Sequence, residues 1–361
     1  ELFSMMKNAG FGAIRVPVTW YNHMDINGKV DEKWMARVHE IVDYVLESGL
    51  YCIINVHHDT GADSNSFKSW LKADMDTYNN QKERYEFLWK QIAEEFKDYD
   101  EHLLFESYNE MLDIKNSWCF ASFNATGRYD AQIAKSAYEA INSYAQSFVD
   151  VVRATGGNNA TRNLIINDYA AACPGSWNTH LTEPLKNLDY PKDDAKNHII
   201  FQLHYYPSVK DDLEGWTKKE FVRILGYIKT HLQNRAPVIF GEWGTANDVE
   251  KNSEGTSKDD YFTSYKNTKL ELAKYFVQKC KEANIATFYW MGLSEGADRT
   301  NLKWTMPELK DAIVKGYYGE KGYTGIEQLS TSSQRPAVRK YVENRKVVIE
   351  KGNKKYSVAG M

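Results

Sequence analysis

The sequence predicts a (β/α)8-type parallel barrel that lacks its first strand, and three observations carry that expectation. Segments of strand and helix character alternate from Glu1 to about Gly325, and such alternation builds a parallel sheet covered by helices. The strand segments are continuous apolar runs, the pattern of strands buried on both faces. Polar residues stand at the C-terminal end of nearly every run, where barrels house their chemistry. No GxGxxG turn follows any strand, as a dinucleotide-binding open sheet requires.

Residues 1–9 read as the end of a helix, closed by Gly10. GAIRVPVTW (12–20) is the first strand present and carries Arg15. The helix after it, from about Lys33 to Ser48, sets Met35, Val38, Ile41, Val42 and Val45 on one face, the stripe of a helix lying on a sheet. Gly49 ends it. YCIINVHH (51–58) follows, with a helix near Gln81–Phe96, and then LLFESYNE (103–110), a long loop and a helix around Ala134–Arg153. NLIINDY (163–169) is the next strand. IIFQLHYYP (199–207) is paired with a helix at Thr217–Leu232, and PVIFGEWG (237–244) with Tyr261–Ala283. IATFYWMGL (285–293) leads to a short helix near Met306–Tyr317.

That gives seven strands where a closed barrel has eight. The chain begins inside what should be the first helix, with no initiator Met and no leader, and so reads as processed or shortened. Open strand edges need a cover, which predicts reduced stability or a homo-oligomer formed by strand exchange. The barrel is assigned to residues 1–328. Residues 329–361 hold a polar linker, LSTSSQRP, and a charged ribbon turning at Lys351-Gly352-Asn353, the signature of a β-hairpin. That hairpin is either an appendage or a strand that covers the gap.

At 361 residues the chain can bury a large core. A net charge of -4 gives no electrostatic case for nucleic acid or an anionic membrane, and no apolar run approaches a membrane span. Aromatic residues make up 14%, with 10 Trp and 24 Tyr. Much of that is core, yet Trp20, Trp118, Trp177 and Trp243 all follow strand ends, where rings can stack on the C–H faces of sugars. Loops 60–80, 111–132 and 170–195 would then wall a cleft. Cys52 and Cys280 read as buried thiols, while Cys119 and Cys173 lie in loops that allow a bridge.

The stretch LLFESYNE ends on Asn109-Glu110, where a buried strand should surface, and PVIFGEWG repeats the design with Glu242. Two carboxylates at the lips of buried strands are what acid/base or nucleophilic attack on a glycosidic bond needs. In His57-His58-Asp59 the neighbouring imidazoles suggest a metal site, but adjacent strand residues point to opposite faces. A sugar contact for His57 is preferred, with His58 packed or at the rim; no metal and no cofactor are expected.

Taken in order, Arg15, His57-His58, Asn109-Glu110, His204 with Tyr206, Glu242 and Trp290 resemble glycoside hydrolase family 5. These are retaining β-glycanases that include endo-β-1,4-glucanases and β-mannanases. The resemblance spans roughly residues 1–325, and WYNHM and YNEM look like its broad-specificity cellulase side. It implies a retaining endo-β-1,4-glucanase acting on a β-glucan. Glu110 would be the acid/base and Glu242 the nucleophile. Arg15 would sit beneath Glu242 and keep it ionised, with Tyr206 donating to it and His204 holding Glu110. Asn109 would bind the sugar 2-hydroxyl and Trp290 would lie under the ring. Related β-glycanase activity on xyloglucan, mixed-linkage β-glucan or mannan is the alternative, and a non-catalytic carbohydrate-binding barrel the alternative of another class. A secreted, periplasmic or cell-surface location follows from the resemblance alone.

Overall fold

The computed structural model describes residues 1–65, 67–123, 129–207, 217–245, 266–290 and 302–325, together with the backbone of three strands within 338–358. Seven parallel strands form one sheet in chain order: β1 Ala13–Val16, β2 Tyr51–Asn55, β3 Leu103–Glu106, β4 Leu164–Asn167, β5 Ile199–Tyr205, β6 Val238–Trp243 and β7 Ala286–Tyr289. The sheet curls into a nearly closed barrel. β1 and β7 come within 8 Å, Cα to Cα, but are not hydrogen-bonded to each other. Burial follows from that seam. β3, β4 and β6 are buried throughout, whereas β1 and most of β7 stay half-exposed.

The lumen is built in layers by the two-residue period of a strand. Its floor is a small apolar cluster of Ile53, Leu104, Ile165 and Ile239, with Ile200 and Phe288 packed on it. Two residues further along the same strands, the side chains turn polar: Asn55, Glu106, Asn167 and Gln202 are all fully buried. On β6 the equivalent step is Gly241, where a Cβ would lie 2.1 Å from the Gln202 side chain. Only glycine leaves room for that amide. The β5–β6 register slips at this point, so that His204 lies opposite Glu242.

The helices pack on the outer faces of the strands and form the main core. Glu32–Glu47 buries Val38, Val42 and Val45, and its Asp31 cap accepts from the Trp34 amide. Met75–Glu95 starts six residues before the expected Gln81, because Asp74 caps it by accepting from Thr77. Ala131–Ala154 is capped by Asp130, and Lys218–Ile228 runs into a π-helical turn, Lys229–Gln233. Lys266–Glu282 and Pro307–Tyr318 complete the set. The expected residues 261–265, the strand tail 291–293 and the linker 329–336 lie outside the described residues. No described helix is long and apolar enough to cross a membrane.

The chain divides into two compact units, Glu1–Tyr323 and Thr324–Met361. The second holds three antiparallel strands, where the sequence predicts a two-stranded hairpin: β8 Val338–Glu343, β9 Lys346–Lys351 and β10 Lys354–Val358. The expected hairpin is β9 with β10, antiparallel, with Lys351 opposite Lys354. Glu343 pairs with Lys346 and adds the third strand. Cys119 and Cys173 do not form the bridge their loops allow; the four cysteines are free.

Candidate active site

The pit above the lumen opens at the C-terminal ends of the strands. It is a cavity of about 350 Å³ lined by His57, His58, Asn109, Glu110, Tyr206, Glu242 and Trp290 with Pro207 and Gly244. Strand parity and one register slip place two of these residues. His57 continues the inward series Ile53, Asn55, and Glu242 follows the register slip at Gly241.

Arg15 projects from β1 into the base of this pit. Its Nε and Nη2 donate to Glu106 at 2.5 and 2.6 Å, its Nη1 to Glu242 at 2.7 Å, and Nη2 again to Asn109 Oδ1 at 2.8 Å. Burial alone would favour a neutral guanidinium, but Glu106 and Glu242 outweigh it and hold Arg15 charged. Burial likewise pushes the Glu106 carboxyl up, yet the charge and hydrogen bonds of Arg15, with a further donor from Asn55, bring it below the ordinary carboxylate range. Because Arg15 takes Oδ1 of Asn109, the amide nitrogen of Asn109 is the end turned to the pit.

Glu242 is held at both oxygens. Tyr206 donates to Oε2 at 2.8 Å, opposite the Arg15 contact on Oε1. Burial and the adjacent Glu242 charge push the Tyr206 phenol up, so it remains a donor. His204 Nδ1 lies 2.8 Å from Glu110 Oε1 and 3.4 Å from Glu242 Oε2. Both neighbours are carboxylate oxygens, so Nδ1 carries the proton. One oxygen each of Glu110 and Glu242 and the His204 nitrogen lie within 4.8 Å of one another. Glu242 is nearly enclosed, with 5% of its side chain exposed, against 22% for Glu110. One carboxylate is fixed and dry; the other faces solvent.

His57 is neutral, because burial and the nearby Arg15 charge both disfavour its cation. Asn55 Oδ1 accepts from the Val18 amide, so its Nδ2 donates, to His57 Nδ1 at 3.0 Å and to Glu106 at 3.1 Å. That leaves the His57 proton on Nε2. Trp290 stacks on the His57 ring, centroids 5.5 Å apart and planes 12° from parallel.

The sequence expectation places Arg15, His57, His58, Asn109, Glu110, His204, Tyr206, Glu242 and Trp290 at one site, and the fold brings all nine together. Two of the four remaining tryptophans are corrected. Trp20 and Trp243 are fully buried in the helix-facing core, and Trp20 Nε1 donates to the Asn55 carbonyl. Trp243 lies on the β6 face opposite the lumen, and Trp20, four residues past β1, packs into the same outer core. Trp118 and Trp177 are exposed on loops beyond the pit lining. Trp177 lies beside Phe120 and Phe123, on a loop fixed by Ser176 donating to Glu220. Glu106 was not among the expected residues. An acidic residue inside an apolar strand is its signal, since such a charge must find a partner.

Comparison with known proteins bears on this geometry. Residues 1–295 match the family model described as Cellulase (glycosyl hydrolase family 5). Endoglucanase A of Clostridium longisporum is 29% identical over 88% of this chain and 57% of its own length. The chain therefore spans less than two thirds of that relative. A broad-specificity GH5-4 endoglucanase from an uncultured bacterium superposes with a TM-score of 0.83 at 52% identity, covering 88% of this chain and 84% of the other. PbGH5A of Prevotella bryantii, solved with a xyloglucan tetradecasaccharide, gives 0.74 at 40% identity over 88% and 85%.

Proposed function

The chain belongs to glycosyl hydrolase family 5, and from that premise we propose that it is a retaining endo-β-1,4-glucanase working by double displacement. The observation that carries the reading is the approach of Glu110 and Glu242 oxygens to within 4.8 Å. Retaining glycosidases hold their carboxyl groups about 5–5.5 Å apart, inverting ones about 6.5–9.5 Å. In the first step a Glu242 oxygen attacks the anomeric carbon while Glu110 gives its proton to the departing glycosidic oxygen. In the second, Glu110 takes a proton from water, which attacks the same carbon and releases Glu242. The solvent exposure of Glu110 suits a group that must exchange protons with leaving group and water. Arg15 and Tyr206 hold the nucleophile's two oxygens, Asn109 offers its amide to the 2-hydroxyl, and Trp290 supports the ring.

Both carboxylates are in one pit, which favours this reading over a non-catalytic binding barrel. The xyloglucan bound by PbGH5A favours a second specificity, for xyloglucan. An insoluble polymer must be met outside the cell, so a secreted or surface location belongs to the same proposal. Among the described residues β1 and β7 have no ladder on their facing edges, which supports strand exchange between copies; light scattering would detect it as a dimer, and a sharp monomer would refute it. The function is tested with Glu110→Gln and Glu242→Ala on carboxymethylcellulose, xyloglucan, lichenan and mannan. Each should lose about 10³-fold or more in kcat, and azide should restore turnover to Glu242→Ala as an α-glycosyl azide. Near-full activity in either variant would end the proposal.

A further inference from the structure

A third carboxylate lies directly under the pit, and the double displacement makes no use of it. Glu106 closes β3 and is fully buried. Its Oε1 accepts from Arg15 Nη2 at 2.6 Å, Asn55 Nδ2 at 3.1 Å and Asn167 Nδ2 at 3.3 Å, and its Oε2 from Arg15 Nε at 2.5 Å. Asn167 is fixed in turn by Gln202, whose Nε2 donates to its Oδ1 at 3.0 Å. Three strands thus donate to one carboxylate, and a fourth braces it through Asn167.

The consequence lies in how the guanidinium is divided. Arg15 turns its two-pronged side, Nε and Nη2, to Glu106 and offers only Nη1 to Glu242. A guanidinium gripped by two parallel bonds has a fixed plane, so Glu106 sets the line along which Nη1 reaches Glu242. The same grip aims Nη2 at Asn109. Charge is divided as well. One cation serves two carboxylates, and if Glu106 were neutral the whole of it would act on Glu242. A carboxylate stabilised more strongly as the anion is the weaker nucleophile.

Resting on the glycosidase reading above, we propose that Glu106 is a positioning residue: it holds Arg15 to a single contact with Glu242 and offsets its charge, keeping the nucleophile anchored but reactive. The titratable and charged groups around it are Arg15 on β1, His57 after β2, Glu110 after β3, His204 and Tyr206 at the end of β5, and Glu242 on β6. Among the described residues, Arg15 is the ion that hydrogen-bonds to it.

The test is the pH profile of kcat/KM for the wild type, Glu106→Gln and Glu106→Asp on the best β-glucan. Removing one charge ~6 Å away, at an effective dielectric near ~20, moves a titration by about two pH units. Glu106→Gln should therefore shift the acid limb down by about two units and lower kcat at least tenfold, with KM little changed. Glu106→Asp keeps the charge but loses reach, so kcat falls while the limb stays at the wild-type pH. A merely structural role would reduce the yield of folded enzyme and leave the limb in place. An unmoved limb in Glu106→Gln overturns the inference. If that variant does not fold, full kcat in Glu106→Asp overturns it, and a reduced kcat with an unmoved limb supports it. Carboxyl-carbon NMR titration of Glu242 in the wild type and Glu106→Gln needs no turnover and separates the two proposals. A lower midpoint in the variant without any β-glucan hydrolysis by the wild type would sink the glycosidase reading alone. Hydrolysis with an unmoved midpoint would sink the role of Glu106 alone.

Discussion

Replacing Arg15 with Met keeps an unbranched apolar stem and removes the guanidinium with its charge. In the wild type Arg15 makes two hydrogen bonds to Glu106 and one each to Glu242 and Asn109. The variant leaves Glu106 buried with only the amides of Asn55 and Asn167. Removing one partner of a buried ion pair costs about 3–5 kcal/mol. For the unit Glu1–Tyr323, with an unfolding entropy of roughly 2.1 cal/mol/K per residue, that is a fall of about 4–7 °C in Tm near neutral pH.

The pH dependence discriminates further. Burial raises the wild-type Glu106 carboxyl and Arg15 more than reverses it, so the net shift is downward. Its stabilisation is present above the ordinary carboxylate range and is lost as the pH falls through the depressed value. In Arg15→Met burial wins, the carboxyl is raised, and stability is instead lost as the pH rises through it. The Tm gap between the two proteins should be widest near pH 7 and should narrow towards pH 4. Calorimetric scans across that range measure it, and a gap that is constant with pH, or below about 1 °C at neutrality, would refute the electrostatic account of the pit.

Asp59 gives a second pH-dependent expectation. Burial pushes its carboxyl up to about 6, although Trp70 Nε1 and the Trp20 amide donate to it. A raised acid contributes stability that is full below its unfolded value and lost as the pH rises through about 6. In denaturant titrations the difference between wild type and Asp59→Asn should therefore change by about 2 kcal/mol between pH 4 and 7; a flat difference rejects the burial argument. The tryptophans should separate by role. Trp177→Ala should raise KM on the polymer severalfold at unchanged Tm, whereas Trp20→Ala should cost about 3–5 kcal/mol of stability, and the reverse pattern would return Trp20 to the cleft.

Much of the barrel was legible in the sequence because a strand buried on both faces leaves an unbroken apolar run, and the polar residues that end each run mark the rim. Glu110, Glu242, His204 and Tyr206 were readable for that reason. Trp20 and Trp243 were not, because standing just after a strand says nothing of which face a ring takes. Parity does say it. Glu242 points into the lumen, so Trp243 points to the helices, and Arg15 puts Val16, Val18 and Trp20 alternately on the outer face. Glu106 was passed over within the same eight residues that announced Glu110. Arg15 is the one Lys or Arg in any of the seven strand runs, so the charge inside LLFE had a single strand-borne partner available. The early start of the helix at Met75 was hidden by polar first turns, which only the Asp74 cap explains.

β1 is bonded to β2 on one side and, among the described residues, has no ladder on the other. What pins it across the lumen is the Arg15 side chain, tied to β3 and β6 at once. The ions proposed to drive hydrolysis thus also act as a tie-rod for an edge stave of the barrel. Engineering of this pit for another sugar, if it disturbs Glu106 or Glu242, would carry a mechanical debt as well as a chemical one.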